Sequence, residues 1–272
     1  MYGLSWSESS LCGKFLLMGK GGSLQYFLGI DIGTYESKGC LINEKLEVIK
    51  TATISHELSI PKPGWAEHDA EKIWWADFVR LCHKLLDQRT RKRVAAVGCS
   101  AIAPTMLPVD HHGIPLRPAI LYGIDTRARC EIADLEKILG LEYIKERCWN
   151  TLSSQSVGPK ILWFKKAEPD LYAKTWKIMT ATSYLVFKLT DEVVIDFYTA
   201  SAFTPLFDLN KLRWIEDLAD LLVSPATLPE PRWTGEIAGK VTKEAASVTG
   251  ILEGTPVLVG TADAAAEFVS VG

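Results

Sequence analysis

A carboxylate, a glycine and a threonine lie close together near the start of the chain. Asp31 ends a run of apolar residues, and Gly33 and Thr34 follow it. A glycine lets the backbone approach phosphate oxygens, amides and the Thr34 hydroxyl donate hydrogen bonds, and a carboxylate holds Mg²⁺ directly or through water. Ser37 and Lys38 could reach the same anion. The alternative is an ordinary hairpin turn in which Gly33 supplies an unusual backbone angle and Asp31 bonds its own loop.

A second candidate carboxylate, Asp263, lies near the other end of the chain. It follows the apolar run 256–259 and a Gly-Thr pair, and the alanines after it suit the start of a helix. A carboxylate at this junction could accept the proton of a hydroxyl group as that group attacks phosphorus, while small neighbours leave space for the phosphoryl group. The alternative is a helix N-cap, because aspartate is among the best capping residues.

Residues 63–69 bring together an indole, two carboxylates and an imidazole. Trp65 could stack on a sugar ring, and Glu67 could accept hydrogen bonds from sugar hydroxyls. Equally, Trp65 could anchor the core while Asp69 caps the helix that follows. His68 has no second ligand at helical spacing, so this segment does not predict a metal site.

The composition indicates a globular protein with no preference for polyanions or membranes. The 272 residues are 47% apolar, and 30 Lys and Arg against 33 Asp and Glu give a net charge of -3. No global field therefore favours nucleic acid or an anionic membrane. No run approaches the roughly 18 apolar residues that span a bilayer. The six cysteines show no metal-ligand spacing and fit reduced thiols, so we expect a cytoplasmic protein.

The order of elements predicts the fold class. Strand-like runs at 26–33, 36–43 and 48–56 are separated by few residues, which predicts antiparallel hairpins. A helical pattern covers 69–88, and the apolar run 94–102 predicts a buried central strand. This is the order of the ribonuclease-H-like, or actin-like ATPase, half-domain, an α/β fold whose mixed sheet is flanked by helices.

Several blocks of sequence together resemble the FGGY family of carbohydrate kinases. GIDIGTYESKG resembles its first phosphate motif and GTADAAA its catalytic segment, and the remaining blocks are PKPGWAEHDAEKIW, PAILYGIDTRA and a long run at 159–209 that begins PKILWFKK. By this resemblance, residues 26–272 are the N-terminal, substrate-binding domain, and the C-terminal nucleotide-binding domain is absent. Residues 1–25 are expected to be a leader, either a disordered arm or the product of a mis-assigned start. Another actin-like ATPase or chaperone lobe would share the phosphate motif but not the long run.

The resemblance implies an enzyme that transfers the γ-phosphoryl group of ATP to a hydroxyl of a sugar, ketose or polyol. Asp263 would be the base, Mg²⁺ would bind near Asp31 through water, and Gly33 and Thr34 would assist the phosphates. The cofactors would be ATP and Mg²⁺, and the partners a small sugar or polyol and the missing lobe, without which the chain would be inactive. We leave open whether two copies form a homodimer.

Residues 100–105 depart from the family's pattern. After this strand, xylulokinases usually show S-G-Q-M-H-G and glycerol kinases N-Q-R-E-T, whereas this chain has SAIAPT. Ala103 and Pro104 cannot donate the same hydrogen bonds, so neither xylulose nor glycerol is implied as the substrate. Substrate contacts could shift to Tyr122, Asp125 and Arg127, or the last two could form a structural pair. The departure also supports an alternative function, a non-catalytic sugar-binding or regulatory module derived from such a kinase.

Overall fold

The structure, a computed structural model, describes residues 24–271 of the chain. The leader that the sequence predicts, residues 1–25, lies outside the described residues except for its last two positions. The strands, in chain order, are β1 (Tyr26–Ile32), β2 (Glu36–Asn43), β3 (Val48–Ser55), β4 (Glu67–His68), β5 (Val94–Ala101), β6 (Leu107–Val109), β7 (Ala119–Ile120), β8 (Lys177–Met179), β9 (Val194–Asp196), β10 (Phe207–Asp208), β11 (Arg213–Trp214), β12 (Glu230–Arg232), β13 (Ile237–Lys240), β14 (Pro256–Leu258) and β15 (Thr261–Ala262).

The α-helices lie mainly after the fifth strand. They are α1 (Ala76–Leu85), α2 (Arg129–Leu139), α3 (Leu141–Cys148), α4 (Val157–Ala167), α5 (Pro169–Ala173), α6 (Ala181–Thr190), α7 (Phe197–Ser201), α8 (Lys243–Thr249) and α9 (Asp263–Val271). Within residues 24–271, none of them is long and apolar enough to cross a membrane.

A seven-stranded mixed sheet has the order β13-β14-β5-β1-β2-β3, with β15 also pairing with β5. The pairs β1–β2 and β2–β3 are antiparallel, which confirms the predicted hairpins. The central strand β5 runs parallel to β1, and both β14 and β15 run parallel to β5. This is the strand order and direction expected for a ribonuclease-H-like fold. The parallel strands all end at the same edge of the sheet.

The first long helix is correctly predicted in position but not in form. It starts with one turn of π-helix, Ala70–Trp75, which leads into α1. The Asp69 carboxylate accepts hydrogen bonds from the N–H groups of Glu71 and Lys72, so the predicted cap is present. The helix ends at residue 85, three positions earlier than predicted, and the Asp87 side chain organises the turn that follows.

The two faces of β1 meet different surroundings because side chains alternate along a strand. Leu28, Ile30 and Ile32 are buried in the main core, which also contains buried side chains of α1 and α6. Gly29 and Asp31 face the opposite side and line a cavity of about 530 Å³ against this second face of the sheet. A second hydrophobic core lies among α2, α4 and the segments around β9–β11.

Candidate active site

Polar side chains meet where three neighbouring strands end. In the sheet register, Asp31 on β1 lies opposite Ser100 on β5, and Ser100 lies opposite Thr261 on β15. The Ser100 Oγ donates a hydrogen bond of 2.7 Å to Asp31 Oδ1. Ser100 was assigned no role from the sequence, although it opens the segment that departs from the family's pattern. It therefore supports the carboxylate that is predicted to hold Mg²⁺.

Asp263 begins α9 two residues after Thr261, at this same edge. Burial raises the pKa of Asp263, and the negative charges of Asp31 and Glu267 raise it further. Its Oδ1 also accepts a 2.8 Å hydrogen bond from the N–H of Ala264. Asp263 is the first residue of the helix and accepts from the next N–H, whereas an N-cap precedes the helix and accepts from its second or third N–H. This contact is therefore not the predicted cap, and the side chain also lies in the electrostatic field of Asp31.

The strand that leads to Asp263 is fixed by its neighbours. Gly260 has a φ of 74°, a conformation that other residues rarely adopt, and a Cβ there would overlap the Cys99 carbonyl. Thr261 Oγ1 donates to Asp196 Oδ2 at 2.9 Å, and the Thr261 carbonyl accepts from Thr182 Oγ1 at 3.0 Å. These contacts hold β15 beside β5 and so position Asp263. The roles of Asp196 and Thr182 are visible only in the folded chain.

The β1–β2 turn is closed by a hydrogen bond of 3.0 Å from the Gly33 N–H to the Glu36 carbonyl. A Cβ at Gly33 would lie 2.7 Å from that carbonyl oxygen, whereas the Gly33 φ is outside the left-handed region. Glycine is therefore required by close approach and not by an unusual backbone angle. Thr34 Oγ1 lies 3.1 Å from the Tyr122 hydroxyl, which joins the turn to a predicted substrate-binding residue.

Lys38 and Ser37 point to opposite faces of β2. The Lys38 Nζ lies 2.7 Å from a Glu36 carboxylate oxygen, and this hydrogen bond raises the pKa of Lys38, with a smaller effect from Asp31. Lys38 lines the same cavity as Asp31. Ser37 is fully buried and its hydroxyl donates to Asp77 at 2.9 Å. The structure therefore brings Lys38 to the candidate site but does not bring Ser37 there.

Four of the predicted substrate-binding residues form a cluster of their own. The Arg127 side chain is fully buried, lies 3.9 Å above the Trp65 ring, and is paired with Asp125 at 2.7 Å and with Glu67 at 2.8 Å. Asp125 also accepts a 2.7 Å hydrogen bond from the N–H of Ala66. These contacts match the structural alternative for Asp125 and Arg127. Trp65 is half-buried and packs on Arg127, outside both hydrophobic cores. Glu67 is also occupied, because Arg117 approaches it to 2.6 Å.

Ala103 and Pro104 lie beside the β1–β2 turn, next to the end of β5. The N–H of Ile102 donates to the Ile32 carbonyl at 2.8 Å, which fixes the segment against β1. Pro104 is buried and Ala103 is half-buried. Ala103 is therefore the more accessible of the two apolar side chains beside the predicted phosphate turn.

A buried lysine that sequence reasoning missed supports Tyr122. Lys160 Nζ donates to the Ser154 carbonyl at 2.6 Å and lies 3.5 Å from the Tyr122 carbonyl. Burial lowers the pKa of Lys160 to about 7, against the opposing effect of Asp125. Gln155 Oε1 also accepts from the N–H of Gly123 at 3.1 Å. The feature of the sequence that could have indicated a buried lysine is its position in the apolar run PKILWF.

The donor set at this edge fits a nucleotide-bound magnesium ion better than a metal held by protein alone. Within residues 24–271, no group of three or more histidine, cysteine or acidic side chains could hold a metal. Mg²⁺ is commonly held by one or two carboxylates together with phosphate oxygens and water. Asp31 could supply the carboxylate, and Gly33 and Thr34 could supply amide and hydroxyl donors to phosphate.

Comparisons with known proteins show which proteins this chain is similar to. The chain is 30% identical to a xylulose kinase from Staphylococcus xylosus and 32% identical to a glycerol kinase from Nocardia farcinica, in each case over 84% of the chain and 47% of the relative. The crystal structure of a xylulose kinase from Rhodospirillum rubrum superposes with a TM-score of 0.85 at 28% identity, covering 91% of this chain and 52% of that one. The chain thus spans about half the length of these relatives.

Residues 26–270 match the family model described as the N-terminal domain of the FGGY family of carbohydrate kinases. The match includes both candidate carboxylates and the whole central sheet. This chain belongs to the FGGY family of carbohydrate kinases, as its N-terminal domain.

Proposed function

We propose that the full-length protein phosphorylates a hydroxyl group of a sugar, ketose or polyol with MgATP. Residues 26–272 would form the acceptor-binding domain, and the adenosine-binding domain would lie in further sequence. One observation carries the proposal: Asp263 and Asp31, from opposite ends of the chain, share one sheet edge beside the glycine-threonine turn, close enough for Asp31 to raise the pKa of Asp263.

Asp263 is the proposed base. Its carboxylate accepts the proton of the acceptor hydroxyl, the hydroxyl oxygen bonds to the γ-phosphorus, and the bond from that phosphorus to the β–γ bridging oxygen breaks. A raised pKa makes Asp263 a stronger base than an ordinary aspartate. Mg²⁺ supplies charge neutralisation on the phosphate oxygens when it is bound. Asp31, oriented by Ser100, is the residue proposed to hold it.

The proposed phosphate contacts are Lys38, which lines the same cavity as Asp31, and the Gly33–Thr34 turn, which follows Asp31 in the chain. The proposed acceptor contacts are Tyr122 and the apolar Ala103–Pro104 segment. Trp65, Glu67, Asp125 and Arg127 are proposed to support these residues and not to contact the acceptor, because their polar groups already bind one another. An acceptor with an apolar face would suit the Ala103–Pro104 segment better than glycerol.

The experiment is a screen of sugars and polyols for ADP release by the full-length protein. With the sugar or polyol that is phosphorylated, Asp263→Asn should lower kcat by at least about 100-fold, because the group that accepts the hydroxyl proton is lost. Asp170→Asn, at an exposed acid of α5, is the matched control and should leave kcat unchanged. Undiminished turnover by the Asp263 variant, or no turnover with any acceptor, would reject the assignment.

A non-catalytic sugar-binding module is the second candidate, favoured by the apolar segment at 103–104. It predicts that a sugar binds in calorimetry while no ADP forms.

We also infer a reducing, cytoplasmic location, which the free thiols of the five cysteines within residues 24–271 support.

A further inference from the structure

A nearly buried histidine lies directly behind the β1–β2 turn. The His56 side chain is 8% exposed, and its Nδ1 lies 2.9 Å from Asp77 Oδ2. Its Nε2 lies 3.2 Å from the Gly33 carbonyl oxygen, and its main-chain N–H donates to the Tyr35 carbonyl at 2.9 Å. His56 therefore contacts the turn through both its ring and its backbone. The mechanism proposed above assigns it no role.

Both ring nitrogens of His56 lie near oxygen atoms. The Gly33 carbonyl can only accept, so Nε2 must carry a hydrogen in order to bind it. Nδ1 lies 2.9 Å from Asp77 Oδ2 and 3.5 Å from Ser37 Oγ, and Ser37 Oγ itself donates to Asp77 Oδ2 at 2.9 Å. The Asp77 side chain is 1% exposed, so it holds the ring from inside the protein.

Side chains from two neighbouring elements also lie near His56. On α1, Arg80 Nη1 lies 3.4 Å from Asp77 Oδ1, at the exposed side of the carboxylate. On β4, the His68 ring packs edge-on at 5.1 Å, and its Nδ1 accepts a hydrogen bond from Trp74 Nε1 at 3.1 Å. Burial, followed by the effect of His56, lowers the pKa of His68 to about 4. His68 is therefore neutral at neutral pH.

The contact with the Gly33 carbonyl also orients the next amide. In a trans peptide, the C=O of Gly33 and the N–H of Thr34 point in opposite directions from one plane. Because the carbonyl points at His56, the Thr34 N–H points away from it. No acceptor within residues 24–271 receives that N–H, so it is available to a ligand.

We propose that His56 is a positioning residue for phosphate binding, which is held by Asp77 and fixes the Gly33–Thr34 peptide so that its N–H faces the nucleotide. The role in phosphate binding rests on the proposed kinase function. The hydrogen bond from His56 Nε2 to the Gly33 carbonyl and the fixed peptide do not rest on it. They can be tested in the 272-residue chain without a substrate.

The first test is nitrogen NMR of the ring in the 15N-labelled 272-residue chain at neutral pH. We expect His56 Nε2 to give the signal of a nitrogen that carries hydrogen, because its partner, the Gly33 carbonyl, can only accept. An Nε2 without hydrogen in the unmodified chain would overturn the proposal, whatever the protein does as an enzyme.

The second test separates the two substrates of the full-length enzyme. His56→Gln can donate to only one of the two oxygens, so the KM for MgATP should rise about tenfold while the KM for the acceptor stays within about twofold. His83→Gln is the control, because His83 is exposed and its Nε2 bonds the distant Val248 carbonyl.

Equal changes in both KM values, or none, would overturn the positioning role. If the His56 variant does not fold, the NMR result on the unmodified chain still decides the proposal. If no acceptor is phosphorylated, the proposed function fails, and the ring signals and the exchange of the Thr34 amide still report whether His56 holds the turn.

Discussion

At the residue scale, the site depends on how the surroundings change the charge of single groups. Asp263 is the clearest example, since burial and two other carboxylates raise its pKa. A base with a raised pKa is stronger, but it is also protonated at a higher pH than an ordinary aspartate. As the pH is lowered, kcat/KM should therefore begin to fall at a pH above the usual pKa range of an aspartate, because protonated Asp263 cannot accept the hydroxyl proton.

Glu267→Gln tests this dependence without altering the cleft. It removes one of the charges that raise the pKa of Asp263, so Asp263 should ionise more readily and the acidic limb of kcat/KM should move to lower pH. The measurement is a pH profile of the full-length enzyme, with the exposed Glu253→Gln as control. A limb that stays in place or moves to higher pH would contradict Asp263 as the titrating base.

Lys160 allows a prediction that needs no activity. Its pKa is lowered from 10.5 to about 7 in the folded chain, so between these values the unfolded chain binds one more proton. Stability therefore rises with pH in that window. Between about pH 6 and pH 9, the unfolding free energy of the unmodified chain should rise by about 2–3 kcal/mol more than that of the Lys160→Met variant. Urea unfolding at both pH values measures it, and a constant difference would show that Lys160 stays charged.

At the element scale, local patterns predict the framework and miss the contacts between distant segments. The three hairpin strands, the helix after Asp69 and the central strand follow from periodicity and capping, and all are present. Strand alternation also separates Ser37 from Lys38, since neighbours on one strand point to opposite faces. By contrast, Ser100 meets Asp31 only through the parallel register of β5 with β1. Hydrophobic periodicity does not specify that register.

The cluster around Arg127 joins the loop before β4 to the loop after β7, so its loss should reduce stability. Arg127→Ala would leave Asp125 and Glu67 buried without this partner, and we expect a loss of about 3–5 kcal/mol of unfolding free energy. Arg129→Ala, two residues away and exposed, should change stability by less than about 0.5 kcal/mol. Equal stability of both variants, with sugar binding lost only in the first, would instead make Arg127 a ligand contact.

At the scale of the whole molecule, the described residues contain both carboxylates of the proposed chemistry and one side of a cleft. The superposition on the Rhodospirillum rubrum xylulose kinase includes 91% of this chain, yet this chain covers only 52% of that protein. The resemblance implies the family, because its sequence blocks are specific in combination. It does not imply the acceptor, because the chain departs from the family's pattern at residues 100–105, which are expected to contact the substrate.

The last prediction concerns nucleotide binding by the 272-residue chain. If the adenosine pocket belongs to another domain, this chain offers MgATP the exposed Lys38 and the half-buried Asp31 and Gly33–Thr34 turn, whose contacts to a nucleotide would be polar. Such contacts each contribute little against the cost of association, so the Kd should be about 1 mM or weaker. Calorimetry measures it, and the full-length protein should bind more tightly. A micromolar Kd for the 272-residue chain, lost in Asp31→Asn, would show that these residues hold the nucleotide without a second domain.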